Sequence, residues 1–295
     1  MSWLQHPLAV ALAWTLVHFL WQGSLAALAV ALLLWLMKAA SPKLQYAVAC
    51  IGLLIMTALP VVTFLRLSEP PAVPSSIQET SNLQSPVRVL AGQPVAVPVA
   101  GYRQALERAM PYGLLVWFAG VLLLATRLAG GWAWLQWLRR RPQTMAAPDA
   151  QQLSLLRLCQ RMGVGSNLRL LLCHSVPGPT LLGWLRPVIL MPPALLVGLN
   201  PQQLELILAH ELAHVLRHDY LINLLQSIAE VLFFFHPAVW WLSNKIRQER
   251  ELASDDLAVR LCGDALDYAQ ALTTLETLAS SLPSHAAPRL ALGSQ

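Results

Sequence analysis

Charge is what this chain has least of. Asp, Glu, Lys and Arg make up 12% of its 295 residues, against 56% hydrophobic residues, a balance that excludes an ordinary soluble domain and indicates a membrane protein. No charged residue occurs from Leu8 to Met37 or from Leu44 to Leu65, and each run exceeds the ~20 residues needed to cross the hydrocarbon core. The first run also lacks a basic start and a clear small-residue cleavage site, and it is too long for a signal peptide. It is read as a retained anchor. Cysteine is scarce too: Cys50, Cys159, Cys173 and Cys262 show no paired spacing and read as buried, reduced thiols rather than a disulfide framework. The net charge is +5, but no nucleic-acid-binding motif accompanies it and the basic residues cluster at membrane boundaries. Direct nucleic-acid binding is therefore not expected.

A third apolar run extends from Met110 past Arg127 to Leu138, where Trp132, Trp134 and Trp137 suit the headgroup level and Arg127 can snorkel. Lys38 and Lys43 lie between the first two runs, and Arg139, Arg140 and Arg141 follow the third. Both basic clusters fall on one side, which the positive-inside rule makes the cytoplasm. The N-terminus is then outside, and the segment from about Arg66 to Ala109, rich in proline and serine, is an external loop for which no fold is predicted.

What is present is the run His210-Glu211-Leu212-Ala213-His214. Spacing of four on a helix puts both imidazoles on one face, about 6 Å apart along the axis, so both can turn toward one zinc ion. Zinc lowers the pKa of its bound water to about 7, and Glu211 is placed to act as general base and to pass the proton to a leaving amine. Asn200 as N-cap, Pro201 at the first helical position, Gln203 completing a capping box and an apolar face of Leu204, Ile207, Leu208, Leu212 and Val215 predict the helix. A third ligand is sought downstream, on a helix predicted from about Asn244 to Leu261 and stopped by Gly263. Glu251 is preferred, because Asp255 one turn later can accept the remaining ring N–H of a ligand histidine. Glu249 is the alternative, on a face displaced by about 200°. His218 continues the first helical face but lies about 12 Å along the axis from His210, too far to share the metal; it reads as a polar helix-end residue, with Asp219 helping to end the helix.

From Pro142 onward the pattern is that of a soluble domain: a helix from Asp149 to Met162 ended by Gly163, and strands over Leu168–Cys173 and Pro187–Met191. Between the strands lies a turn-rich stretch with Pro177, Gly178, Pro179 and Gly183. An edge strand beside the zinc helix would hold an extended peptide by main-chain hydrogen bonds. Tyr220 to Leu242 is long and apolar enough for a fourth span, but a span there would separate Glu251 from His210 and His214 and submerge Glu230. Two helices meeting near His236, a polar corner residue before Pro237, are predicted instead, as a core hairpin or a shallow membrane-facing element.

The ordered segments LLGWLRPVILMPP, HELAH, RHDYL, FFFHPAVWW and RQERELASDD resemble the BlaR/MecR-type family of membrane zinc peptidases over most of the chain. The resemblance implies His210, His214 and Glu251 as zinc ligands and Glu211 as catalytic base, and the Glu251–Asp255 spacing is similar to that of gluzincin peptidases. It implies a mainly α fold: three transmembrane helices followed by a cytosolic α+β zincin-like metallopeptidase domain with a small sheet. The division expected is 1–67 for two transmembrane helices, 68–109 for the external loop, 110–138 for the third helix, 139–282 for the peptidase domain and 283–295 for a tail. The implied setting is the bacterial inner membrane, with regulated proteolysis at its cytoplasmic face. The substrate would be a transcriptional repressor or the protein itself. A signalling scaffold with structural zinc is the alternative. Antibiotic-sensing members carry a further span and an external penicillin-binding sensor. This sequence runs to Gln295 with neither and has no S-x-x-K motif, so it is expected to be a fragment or a shorter member with another signal input.

Overall fold

The structure is a computed structural model that describes residues 6–69, 99–139, 144–165, 168–176, 178–183, 187–262 and 264–281. Among the described residues, three helices are long and apolar enough to cross a membrane: α1 (Pro7–Leu36), α2 (Pro42–Ser68) and α3 (Val99–Arg139), the last through its segment Arg108–Trp134. Many of their large apolar side chains stay uncovered by protein, as with Leu28 (66% exposed) and Leu123 (70%), which suits contact with lipid. The third helix begins eleven residues earlier than the apolar pattern suggests, so 99–109 of the expected loop are helical. Helix termini need no hydrophobicity, and apolarity alone cannot locate them. Residues 70–98 of that loop, Arg140, Arg141, Pro177, Gly263 and the expected tail lie outside the described residues.

The second part contains β1 (Met145–Ala146), α4 (Asp149–Met162), β2 (Arg169–Leu172), β3 (Thr180–Leu182), β4 (Val188–Met191), α5 (Pro193–Gly198), α6 (Pro201–Leu216), α7 (Asp219–Leu232), α8 (Pro237–Cys262) and α9 (Ala265–Ser281). The strands form one mixed sheet in the order β1-β2-β4-β3, with β2 and β4 parallel and both margins antiparallel. The expected strands are β2 and β4. The turn-rich stretch between them also contains β3, and β1, α5 and α9 add to the prediction. Helix α4 has the predicted bounds, because Gly163 takes the left-handed conformation (φ 69°) that closes a helix. Cys159 and Cys173 are free and buried, and Cys50 is partly buried.

Helix α6 is specified locally. Asn200 Oδ1 accepts from the Gln203 N–H at 2.8 Å and Gln203 Oε1 from the Asn200 N–H at 3.1 Å, and Pro201 stands in the first turn. Leu204, Ile207, Leu208 and Leu212 enter a core shared with Leu155 and Leu158 of α4, Ile189 and Met191 of β4, and Ala271 of α9. That core fixes the rotation of α6 and hence the direction of the face bearing the two histidines.

α7 and α8 are antiparallel arms joined at Phe233–His236, as predicted, although α8 starts at Pro237 rather than near Asn244. The tip is not shallow. Phe233 and His236 pack against Phe19 near the middle of α1, with ring centroids 4.5 and 4.8 Å apart. His236 Nε2–H donates to the Leu20 carbonyl at 3.1 Å, while Nδ1 accepts from the Ala238 N–H. Gly23 makes this approach possible: a Cβ there would lie 2.7 Å from His236 Nε2. Trp117 of α3 donates to the Leu232 carbonyl at 2.9 Å. The core-hairpin form of the prediction therefore holds, inside the helix bundle rather than on its surface. Glu230, a burden in such a place when unpaired, is bound to Arg247 at 2.8 Å. At the other end of the hairpin, the Tyr46 hydroxyl of α2 donates to Asp219 at the start of α7, 2.9 Å away.

Candidate metal centre

The predicted residues His210, His214 and Glu251 come together where α6 crosses α8. His210 Nε2 and His214 Nε2 lie 3.2 Å apart, and Glu251 Oε2 is 3.5 Å from the first and 3.7 Å from the second. Ligand atoms on a tetrahedral zinc at about 2.0–2.2 Å are about 3.3 Å from one another, so two nitrogens and an oxygen at these separations fit that ion. The Glu251 side chain is 41% exposed and both imidazoles are mostly covered, leaving one side of the cluster open to a water or a substrate. Glu249, the alternative ligand, is elsewhere: it is buried and paired with Lys245 at 2.6 Å.

Each histidine is held by its other nitrogen. Asp255 Oδ1 lies 3.0 Å from His210 Nδ1, as the spacing predicted. The Tyr268 hydroxyl donates to the same carboxylate at 2.7 Å and lies 2.9 Å from His210 Nδ1. His214 Nδ1 faces Asp219 Oδ2 at 2.7 Å and Ser254 Oγ at 3.2 Å. These contacts fix both rings with Nε2 toward the cluster, the role that outer partners play at metal sites.

Asp219 was expected to end a helix; it begins one. The α6 helix closes at Arg217, and His218, exposed and with φ 56°, turns the chain in the left-handed region. His218 therefore does not extend the histidine face. The turn brings Asp219 back beneath His214, buried and also bound by Arg217 Nη2 at 2.7 Å. Tyr268 was missed as well, because it arrives on α9 from outside the motif region.

The electrostatics favour a cation at the cluster. Burial disfavours the His210 imidazolium, yet Asp255 and Glu251 outweigh it and push its pKa up to about 9. Burial also opposes ionisation of Glu251, but the His210 contact and the charges of His214 and Arg250 hold its carboxyl at about 2. For Asp219 and Asp255 burial is likewise outweighed, chiefly by His214 and by His210 respectively, and both carboxyls are depressed. Glu211 behaves oppositely: it is 8% exposed, and burial raises its pKa against the pull of both histidines. A carboxyl moved toward neutrality is suited to taking up and releasing a proton.

Asp255→Ala is expected to lower zinc affinity by about 10–100-fold, the usual cost of losing a partner that orients a ligand histidine. Competition with a chromogenic chelator measures it; an unchanged affinity would mean that Tyr268 alone fixes the ring.

Apolar helices of membrane length, joined to a domain in which paired histidines, a helix-borne carboxylate and a buried glutamate converge, define the class: a membrane protein with a candidate metal site. The chain belongs to the BlaR1 peptidase M56 family, whose model matches residues 14–291. It is 28% identical to the regulatory protein BlaR1 of Bacillus licheniformis over 144 residues, 48% of this chain and 23% of that protein. It is 22% identical to the methicillin resistance mecR1 protein of Staphylococcus aureus over 142 residues, 47% of this chain and 24% of the relative. The matched stretch thus spans about a quarter of the length of these relatives.

Proposed function

We propose that this protein is a membrane-bound zinc metalloendopeptidase with its active site at the cytoplasmic face. The observation that carries the reading is the meeting of His210 Nε2, His214 Nε2 and Glu251 Oε2 within 3.2–3.7 Å, one residue along α6 from buried Glu211. His210, His214 and Glu251 would hold the ion, which when bound supplies Lewis-acid activation of water and of the scissile carbonyl. Glu211 accepts the proton of the attacking water and returns it to the leaving amine nitrogen. Asp255 with Tyr268, and Asp219, keep the two rings in the tautomer that presents Nε2. Strand β3 is suited to bind extended substrate along its free edge: among the described residues it pairs only with β4, and Leu181 packs against the core that the apolar face of α6 enters.

The cytoplasmic placement rests on Lys38 and Lys43 beside the α1–α2 turn, the end of the bundle at which Tyr46 meets Asp219. By likeness to relatives named as regulatory and resistance proteins, the cleavage is regulated proteolysis in transmembrane signalling, with a repressor or the protein itself as substrate. The test is the purified full chain in nanodiscs, loaded with zinc and offered a pool of quenched fluorescent peptides, with mass spectrometry of the chain for self-cleavage. Chelator-sensitive hydrolysis restored by zinc is expected. One bound zinc per chain with no cleavage of any peptide or of itself would favour a signalling scaffold with structural zinc.

A further inference from the structure

Tyr46 is buried (8% exposed) four residues into membrane helix α2, yet its hydroxyl reaches a carboxylate that itself holds a metal-ligand candidate. We infer that Tyr46 is a positioning residue for the metal centre, linking α2 through Asp219 to the ring of His214; the inference rests on the metal-site reading above.

The geometry is a continuous chain of donors. Asp219, 4% exposed, receives the Tyr46 hydroxyl at Oδ1 (2.9 Å), and His214 Nδ1 and Arg217 Nη2 at Oδ2 (2.7 Å each). The three donors come from α2, from α6 and from the turn after α6, so the carboxylate plane is set jointly by the membrane helix and the zinc helix. Removing the hydroxyl takes away the donor at Oδ1. The carboxylate is then free to rotate about its remaining contacts, and the His214 ring follows it, because a buried charged acceptor keeps its strongest donors.

The same aromatic ring also touches the other side of the cluster. The Arg217 guanidinium lies over the Tyr46 ring, 5.5 Å from its centroid, a cation–π contact that a buried, incompletely bonded guanidinium favours; Arg217 Nε and Nη1 are buried without hydrogen-bond partners. Its Nη2 donates to the Arg250 carbonyl at 2.9 Å and to Ser254 Oγ at 2.5 Å on α8. Arg250 precedes Glu251 in the chain. Tyr46 is thus joined to the element bearing each class of ligand, by its hydroxyl to His214 and by its ring face to the backbone beside Glu251. A displacement of α2 against α6 strains both links.

Tyr46→Phe separates the hydroxyl link from the ring contact, which it preserves. In the full chain in nanodiscs, zinc affinity is expected to fall about three- to tenfold, less than the 10–100-fold typical of a direct orienting partner. The visible bands of the cobalt-loaded protein are expected to shift, since the ligand field of His214 changes. Coupling is reciprocal, so zinc should slow amide exchange over residues 43–50 in the wild type and do so less in Tyr46→Phe. Asp219→Asn is the comparison, with larger effects expected in cobalt spectrum and affinity. Unchanged affinity, cobalt bands and zinc-dependent exchange in Tyr46→Phe, with Asp219→Asn altered, would overturn the link even if the melting temperature fell. A wild type that takes up neither zinc nor cobalt would overturn the metal-site reading itself, and this inference with it.

Discussion

Replacing Glu211 by glutamine is expected to lower peptide hydrolysis by about 10²–10⁴-fold, the usual contribution of a positioned general base, while zinc content stays at the wild-type level. The amide matches the carboxylate in size and suits a buried site (8% exposed), where it carries no charge to desolvate. It leaves Nε2 of His210, Nε2 of His214 and the Glu251 carboxylate untouched. What it removes is the proposed proton acceptor. Steady-state cleavage of a peptide found in the screen, with zinc measured by elemental mass spectrometry on the same preparation, separates chemistry from metal binding. Undiminished cleavage by the zinc-loaded variant would sink the assignment of Glu211 as base.

The second large effect concerns the metal. Glu251→Ala is expected to weaken zinc binding by more than about 100-fold, beyond the cost of losing an outer partner, because it deletes one of the three proposed ligands. Glu249→Ala is its control. Glu249 is 3% exposed and bound to Lys245 at 2.6 Å, so its removal lowers the melting temperature and leaves zinc per folded chain unchanged. The opposite pattern, with zinc lost in Glu249→Ala and retained in Glu251→Ala, would reassign the third ligand.

The motif geometry was readable because it is local. A capping box, a proline in the first turn and a four-residue histidine spacing each act within one or two turns of helix, and α6 forms as they require. Glu251 could be preferred to Glu249 for the same reason, since Asp255 lies one turn beyond it on a continuous helix. Asp219 was not readable in this way. Five residues beyond His214, it would point to another face if α6 continued; only the left-handed turn at His218 returns it to the ring, and no glycine or asparagine marks that turn. Tyr268 and Tyr46 reach the site through tertiary packing, which periodicity does not encode. The depth of the α7–α8 tip has the same origin. Gly23 admits the His236 ring, and a glycine within an apolar helix does not announce what will approach it.

Helix α8 has a mechanical consequence. It is one continuous helix from Pro237, next to buried His236, to the turn that bears Glu251, about 21 Å at 1.5 Å per residue. Over that length, a tilt of one degree about the inner end carries Glu251 through about 0.4 Å, whereas metal–ligand distances tolerate about 0.2 Å. The arm amplifies angle into displacement. That displacement is resisted along the arm as well as at its root, since α2 and α6 both pack against α8 and Arg217 donates to the Arg250 carbonyl beside Glu251.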